Sequence, residues 1–146
     1  MKRMIRITAA AAIMALSCAC LAGAEAPASG AIPVTIHESE GRYQLLREGQ
    51  PYLIKGAGIS NWNVASLAEQ GGNSFRNWRD SNSPDGLLIL DEAARYGLTV
   101  AMCIPIGRER HGFDYDDAEA VTRQFEFARS EVLRYKDHPA LLMWII

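Results

Sequence analysis

From residue 52 onward the sequence alternates between short apolar runs and segments with helical periodicity. The apolar runs have strand character and occupy residues 52–59, 74–78, 99–106 and 141–146. Parallel strands need a long crossover between them, usually a helix, so this alternation predicts parallel β/α units. The third and fourth runs are almost wholly apolar, as expected for strands that are buried on both faces. The sequence therefore predicts an α/β fold with about four strands and three helices.

The predicted helices have recognisable ends and faces. Asn61 or Asn63 can cap the first helix, because a side-chain oxygen accepts a hydrogen bond from a free N–H of the first turn. The segment Ser83-Pro84-Asp85-Gly86 supplies a turn and a cap for the second helix. The third helix carries apolar residues at alternating steps of four and three, which predicts its buried face. These residues are Val121, Phe125, Ala128, Val132 and Tyr135.

Two shorter segments precede the β/α units. Residues 34–51 contain two strand-like runs separated by turns that include Gly41 and Gly49, which predicts a small β ribbon. Residues 25–33 mix Ala, Pro, Ser and Gly without periodicity, so we interpret them as a flexible lead. The main domain is then residues 52–146.

The first 24 residues have the composition of a secretory signal peptide. Basic residues precede an apolar run at residues 7–21, and Ala22, Gly23 and Ala24 offer a cleavage site for signal peptidase. The run is shorter than the roughly 20 residues that span a bilayer. We therefore expect a secreted or periplasmic protein that has no membrane anchor after cleavage.

Two other readings of this N-terminus stay open. The apolar run could remain as an uncleaved anchor, or a lipid could be attached at Cys18 or Cys20. Against lipidation, Ala15 stands three residues before Cys18, where a large aliphatic residue is expected. Lipoprotein anchoring is therefore the less favoured alternative.

Charge and composition exclude several classes of function. The formal net charge is −2, so the chain offers no basic field for nucleic acid. After cleavage Cys103 would be the one remaining cysteine, which leaves no pair for an intrachain disulfide, and we expect it to be buried and inert. The sequence shows no metal-ligand spacing, no glycine-rich phosphate loop and no Ser/His/Asp order. No cofactor is implied.

Four segments together resemble the catalytic domain of retaining glycoside hydrolases with a (β/α)8 barrel, above all family 2. They are GQPYLIKGAG at 49–58, GNSFRNW at 72–78, LDEAARYGLTV at 90–100 and YKDHPALLMWII at 135–146. The first segment is similar to the family's entry into the barrel and the second to its second strand. The third is similar to its second helix and third strand, and the last to the approach to its fourth strand. The resemblance implies the N-terminal half of a TIM barrel, preceded by the ribbon, because a full barrel takes about 250 residues.

This resemblance implies hydrolysis of O-glycosidic bonds by double displacement, with two carboxyl groups about 5 Å apart. In the family the fourth strand runs directly into Gly-Asn-Glu, whose Glu is the acid/base catalyst, and a later strand carries the nucleophilic Glu. Neither motif occurs up to Ile146, so we expect a truncated chain that is inactive alone. Arg76 matches the arginine that lies beside the nucleophile and orients it, although a structural salt bridge would explain it too.

Other residues after the predicted strands are candidates for sugar binding, because barrel active sites gather at the carboxyl ends of the strands. Aromatic faces pack against the C–H faces of sugars, and amides bind hydroxyl groups. The candidates are Asn61, Trp62, Trp78 and His111. Both tryptophans could instead cover the barrel rim, and His111 could simply face solvent, as we expect for Glu109.

Three alternatives to a hydrolase of oligo- or polysaccharides remain at this point. A glucan-transferring enzyme shares the same strand motifs. A secreted, non-catalytic carbohydrate-binding protein could keep the aromatic residues of the cleft without the catalytic half. A doubly wound domain of unrelated function could match the motifs by chance. Sugar and linkage specificity depend on later loops and do not follow from these motifs.

We predict that the mature chain begins near Glu25 outside the cytoplasm, since the basic start, the apolar run and the small residues together direct export and cleavage. Mass spectrometry of the exported protein should show this N-terminus. A cytosolic protein that retains Met1 would contradict the prediction.

Overall fold

The structure is a computed structural model that describes residues 30–59, 63–79 and 83–146. Its elements in chain order are β1 (Val34–Ser39), β2 (Arg42–Arg47), β3 (Gln50–Pro51), β4 (Gly56–Ile59), α1 (Val64–Glu69), β5 (Ser74–Asn77), α2 (Gly86–Arg95), β6 (Thr99–Cys103), a 3-10 helix (Glu109–His111), α3 (Ala118–Tyr135) and β7 (Leu141–Ile145). The predicted signal peptide, residues 25–29 of the lead, Asn61 and Trp62 lie outside the described residues.

The first three strands form an antiparallel sheet in the order β1-β2-β3. Two-residue turns join them, Glu40-Gly41 and Glu48-Gly49, and all four residues have positive φ between 52° and 73°. Positive φ at both central residues is the geometry that matches the twist of a tight hairpin. Glycine adopts positive φ without steric cost, so Gly41 and Gly49 allow these tight turns. The turns bring the three strands side by side as a ribbon.

The other four strands form a parallel sheet in the order β4-β5-β6-β7, and every neighbouring pair is parallel. A helix lies in each connection: α1, α2 and α3 in turn. The predicted α/β class and the parallel arrangement are thereby confirmed. All four strands are shorter than the predicted runs: β4 begins at Gly56 rather than at Tyr52, β6 ends at Cys103 rather than at Ile106, and β5 and β7 each end one residue earlier.

One face of the parallel sheet packs against the helices. Phe75 of β5 and Val100 and Met102 of β6 are buried together with side chains from α1, α2 and α3. The helical members of this core are Val64, Ile89, Leu90, Ala93 and Tyr135. Apolar burial of this kind contributes about 25 cal/mol per Å² and is the main stabilising term of such a layer.

The predicted face of α3 is correct except at Phe125: Tyr135 is buried, and Val121, Ala128 and Val132 are half-buried. Phe125 is 63% exposed, whereas Gln124 is half-buried and Glu131 is buried. The Gln124 side chain accepts a hydrogen bond from the Gly107 N–H, and Glu131 forms an ion pair with Arg79. The helix therefore presents polar side chains with specific partners to the protein, which a hydrophobic pattern does not mark. No helix within the described ranges combines the length and apolar character needed to cross a membrane.

The ribbon contacts the amino ends of the parallel strands. The Tyr52 hydroxyl donates to the carbonyl of Asn73, just before β5, at 2.8 Å and lies 3.0 Å from the Thr99 Oγ1 at the start of β6. Arg47 donates to the carbonyl of Pro139, shortly before β7, at 2.9 Å. The carboxyl ends of the strands lie at the opposite end of the sheet, away from these contacts.

We predict that the 146-residue chain self-associates when it is expressed alone. Within the described residues β4 and β7 each have a neighbouring strand on one side only, and an unpaired edge presents free N–H and C=O groups. Strand β7 carries no charge and no proline, the composition that pairs readily with other chains. Size-exclusion chromatography with light scattering should show oligomers whose population rises with concentration.

A charge on the edge strand gives the control for this prediction. Met143→Lys should shift the equilibrium toward monomer, because edge lysines oppose strand pairing. Phe125→Lys, on the exposed face of α3, should leave the distribution unchanged. A wild-type chain that stays monomeric at every concentration tested would contradict the prediction.

Candidate functional site

Arg76 lies on the face of the parallel sheet that the helices do not cover. Successive side chains of a strand point to opposite faces, and Phe75 belongs to the core under the helices. Arg76 is therefore on the other face, where it is half-buried and stands in register with Gly58 of β4 and Ala101 of β6. The fold thus places a cation near the carboxyl end of the second parallel strand.

Asn77 fixes the carboxyl ends of β5 and β6 relative to each other. Its side chain is buried, its Oδ1 accepts a hydrogen bond from the Cys103 N–H at 2.7 Å, and its Nδ2 lies 3.1 Å from the Met102 Sδ. A buried amide without such partners would be costly. Sequence reasoning missed this role, although an asparagine inside a buried strand is the kind of residue that requires a partner.

Trp78 follows β5 and joins Arg76 in one cluster. The Arg76 guanidinium lies 5.1 Å from the centre of the Trp78 ring, within the distance of a cation–π interaction. The six-membered ring of Trp78 also lies over Gly58, so that a Cβ atom at Gly58 would overlap it. We call these three residues the Arg76–Trp78–Gly58 cluster. Trp78 remains 52% exposed, so part of its surface is accessible to a ligand.

The Arg76 side chain has unused hydrogen-bonding capacity. Its Nε is buried without a hydrogen-bond partner, and no hydrogen bond or ion pair of Arg76 occurs within the described part of the chain. A guanidinium group presents five N–H donors in a planar fork that matches a carboxylate. The predicted alternative, a structural salt bridge of Arg76, is not found among the described residues.

A buried ion pair holds the segment that follows Trp78. Arg79 pairs with Glu131 of α3, and the two side chains are only 13% and 9% exposed. Tyr135 supports the pair, since its ring lies 5.7 Å from the Arg79 guanidinium and its hydroxyl donates to Glu131 at 3.4 Å. The backbone next to Trp78 is therefore attached to the third helix. No motif or hydrophobic pattern in the sequence predicted this ion pair.

His111 lies in the loop after β6, in the short 3-10 helix, and is exposed. Glu109 and Asp114 in this loop are exposed as well, in agreement with a solvated position. Local contacts shape the loop: the Tyr115 hydroxyl donates to the Gly107 carbonyl at 3.0 Å. No hydrogen bond or ion pair joins His111 to Arg76 within the described residues.

His138 and Asp91 form a polar contact elsewhere in the molecule. The His138 Nε2 lies 3.1 Å from the Asp91 Oδ1, and the His138 Nδ1 accepts a hydrogen bond from the Ala140 N–H at 3.1 Å. This contact ties the turn before β7 to α2, near the amino ends of the strands. Across the described ranges, no group of three or more His, Cys, Asp or Glu residues could hold a metal ion.

The ribbon carries a broad open groove at the other end of the molecule. Its lining includes Tyr43, Leu45, Tyr52 and Leu53. Because the ribbon contacts the amino ends of the parallel strands, this groove lies away from Arg76 and Trp78. We therefore regard the Arg76–Trp78–Gly58 cluster as the candidate site. The ribbon groove offers volume, whereas the cluster combines a cation, an exposed aromatic ring and a position at the carboxyl ends of parallel strands.

No protein-family model matches the chain, and no curated protein matches it. Function has to be inferred from the motifs and from the geometry of the cluster.

We predict that Arg79→Met lowers the free energy of unfolding by about 3–5 kcal/mol, because it leaves the Glu131 carboxylate buried without its partner. Glu131→Leu should destabilise the protein in the same way. The double variant Arg79→Met/Glu131→Leu should be more stable than either single variant, since it removes both charges from the interior. Urea denaturation of the four proteins measures this cycle.

The exposed pair Arg129–Glu126 on α3 serves as the control, with side chains 60% and 56% exposed. Removing either partner there should cost no more than about 1 kcal/mol. Single variants of Arg79 and Glu131 that unfold at the wild-type midpoint would contradict the role given to the buried pair.

Proposed function

We propose that this chain is the N-terminal half of the (β/α)8 barrel of a secreted retaining glycoside hydrolase. The observation that carries most weight is the position of Arg76. It lies near the carboxyl end of the second of four parallel strands, on the face away from the helices, beside an exposed Trp78 and with no partner among the described residues. An arginine in this place matches the arginine that orients the nucleophile in the family that the motifs resemble.

The strand order favours a barrel over a doubly wound sheet. The four parallel strands follow one another in sequence order, with no reversal. A doubly wound sheet reverses its strand order at a switch point and binds its ligands there. Barrel strands add in one direction and place the site at their carboxyl ends. The position of the Arg76–Trp78–Gly58 cluster at the carboxyl ends of the strands is consistent with a barrel.

Arg76 has a defined role in the proposed reaction. One carboxyl group protonates the leaving oxygen while a second attacks the anomeric carbon, and water then hydrolyses the glycosyl-enzyme. The paired donors of a guanidinium hold the attacking carboxylate ionised and oriented. By resemblance, the acid/base Glu belongs to Gly-Asn-Glu directly after β7 and the nucleophile to a later strand. Arg76 is thus a positioning residue for the nucleophile.

The substrate is an oligo- or polysaccharide, and the loops at the carboxyl ends bind it. Trp78 supplies an accessible aromatic surface there. We assign substrate contacts also to Asn61 and Trp62 after β4, and to His111 after β6, on the basis of their positions in the sequence. The signal peptide of residues 1–24 exports the enzyme to the compartment where such glycans are found. No cofactor is required for this chemistry.

A non-catalytic carbohydrate-binding protein is the second candidate. It is favoured by the exposed Trp78, whose aromatic face can pack against a sugar without any catalytic carboxylate. The coding sequence downstream of Ile146 separates the two candidates. Gly-Asn-Glu followed by further β/α units supports the hydrolase, and a stop codon directly after Ile146 supports the binding protein.

We predict that, in the protein with its downstream sequence, Arg76→Ala lowers kcat/KM by about 100-fold or more, because oriented donors at the reacting groups are worth about that much. The thermal midpoint should change much less than turnover, because Arg76 acts on the attacking carboxylate and lies on the sheet face opposite the hydrophobic core. Kinetics with aryl glycosides and a melting curve on the same preparation provide both readouts.

Arg129→Ala, on the exposed side of α3, is the matched control and should keep full turnover. Unchanged turnover of Arg76→Ala combined with a large loss of stability would contradict the proposed role and favour a structural one.

A further inference from the structure

Strand β4 contains two glycines, and each position needs glycine for a different structural reason. A Cβ at Gly56 would lie 2.6 Å from the carbonyl oxygen of Ser74, so Gly56 allows β4 to approach the backbone of β5. A Cβ at Gly58 would instead overlap the six-membered ring of Trp78. Glycine inside a strand is less favourable than alanine, and it commonly marks a place where another group approaches closely. At Gly58 the group that approaches is an aromatic side chain.

The Trp78 ring is held from several directions. Gly58 leaves the space that the ring occupies across β4, and the Arg76 guanidinium lies 5.1 Å from the ring centre. The next residue, Arg79, is attached to α3 through its ion pair with Glu131. The ring nevertheless stays 52% exposed. An immobilised aromatic surface that remains accessible binds a ligand with little loss of conformational entropy.

We propose that Trp78 is a platform for one pyranose ring of the substrate and that Gly58 is the positioning residue that lets the platform lie across β4. This rests on the proposed function. The ligand class is a neutral pyranose whose ring hydrogens form an apolar face, because such a face packs against an indole. Arg76 stays available on the same side of the sheet for a carboxylate, so one cluster serves both the sugar ring and the reacting groups.

Steady-state kinetics on the full-length protein test this assignment. The probes are 4-nitrophenyl glycosides in the gluco, manno and galacto series and the corresponding β-linked tetrasaccharides. Trp78→Ala should raise KM about five- to tenfold while kcat changes much less, because the aromatic contact binds a sugar ring away from the bond that is cleaved. Gly58→Ala should raise KM in the same direction, because its methyl group displaces the ring. Ala57→Ser, on the same strand but the opposite face, is the control and should keep the wild-type KM.

A second variant pair tests the coupling between Gly58 and Trp78. Phenylalanine has a single ring and is shorter than the indole, so Trp78→Phe makes room for a methyl group at position 58. The double variant Gly58→Ala/Trp78→Phe should therefore have the KM of Trp78→Phe alone. Additive effects of the two substitutions would overturn the positioning role of Gly58. Thermal midpoints of all variants identify any that are poorly folded.

Tryptophan fluorescence during titration with the tetrasaccharides separates this inference from the proposed activity. A wild-type protein that cleaves glycosides while Trp78→Ala keeps its KM overturns the platform. A wild-type protein without turnover, but with a saccharide-induced fluorescence change that Trp78→Ala loses, supports the platform and contradicts the hydrolase. A protein with neither response contradicts both.

Discussion

Burial of one face of β5 and β6 beneath the helices is the constraint on which the candidate site depends. Phe75 and Val100 stand in register and pack with the helical side chains of the core. Because strand side chains alternate, this burial forces Arg76 onto the opposite face. A slip of one residue would bury the guanidinium under the helices and expose Phe75. The hydrophobic core therefore determines where the cation lies.

Polar contacts then fix each end of the sheet. At the carboxyl ends, Asn77 binds the backbone of β6, and the Arg79–Glu131 pair attaches the following segment to α3. At the amino ends, Tyr52 and Arg47 connect the ribbon to the backbone at the starts of the strands. Buried polar groups are tolerated when they are paired. These pairings leave the sheet face that carries Trp78 accessible. They hold the ribbon at the amino ends of the strands, away from Trp78.

The sequence predicted those parts of the fold that depend on local signals. Alternating apolar and helical segments predicted the parallel β/α units, and Asn63 accepts the expected capping hydrogen bond at the start of α1. Within the predicted cap segment of α2, Asp85 is the residue that accepts such a bond. The prediction for the buried face of α3 was wrong at Phe125. Gln124 and Glu131 face the protein instead, because their polar partners lie far away in the sequence.

The candidate site was predictable only in part, for a similar reason. Arg76 and Trp78 could be selected because they stand at the end of a predicted strand. The reason for Gly58 could not be read from the sequence, since it depends on a side chain twenty residues further along the chain. Asn61 and Trp62 lie outside the described residues, and their contacts with sugar stay predictions. His111 is exposed in its loop, and its role depends on the substrate.

The central claim is that the face carrying Arg76 serves a retaining hydrolase, and the stereochemistry of the first product tests it most directly. Proton NMR of the full-length protein with a cleavable aryl β-glycoside distinguishes the anomers before they interconvert. Double displacement predicts that the β-anomer appears first, because the sugar is inverted twice. Initial formation of the α-anomer would contradict a nucleophile oriented by Arg76.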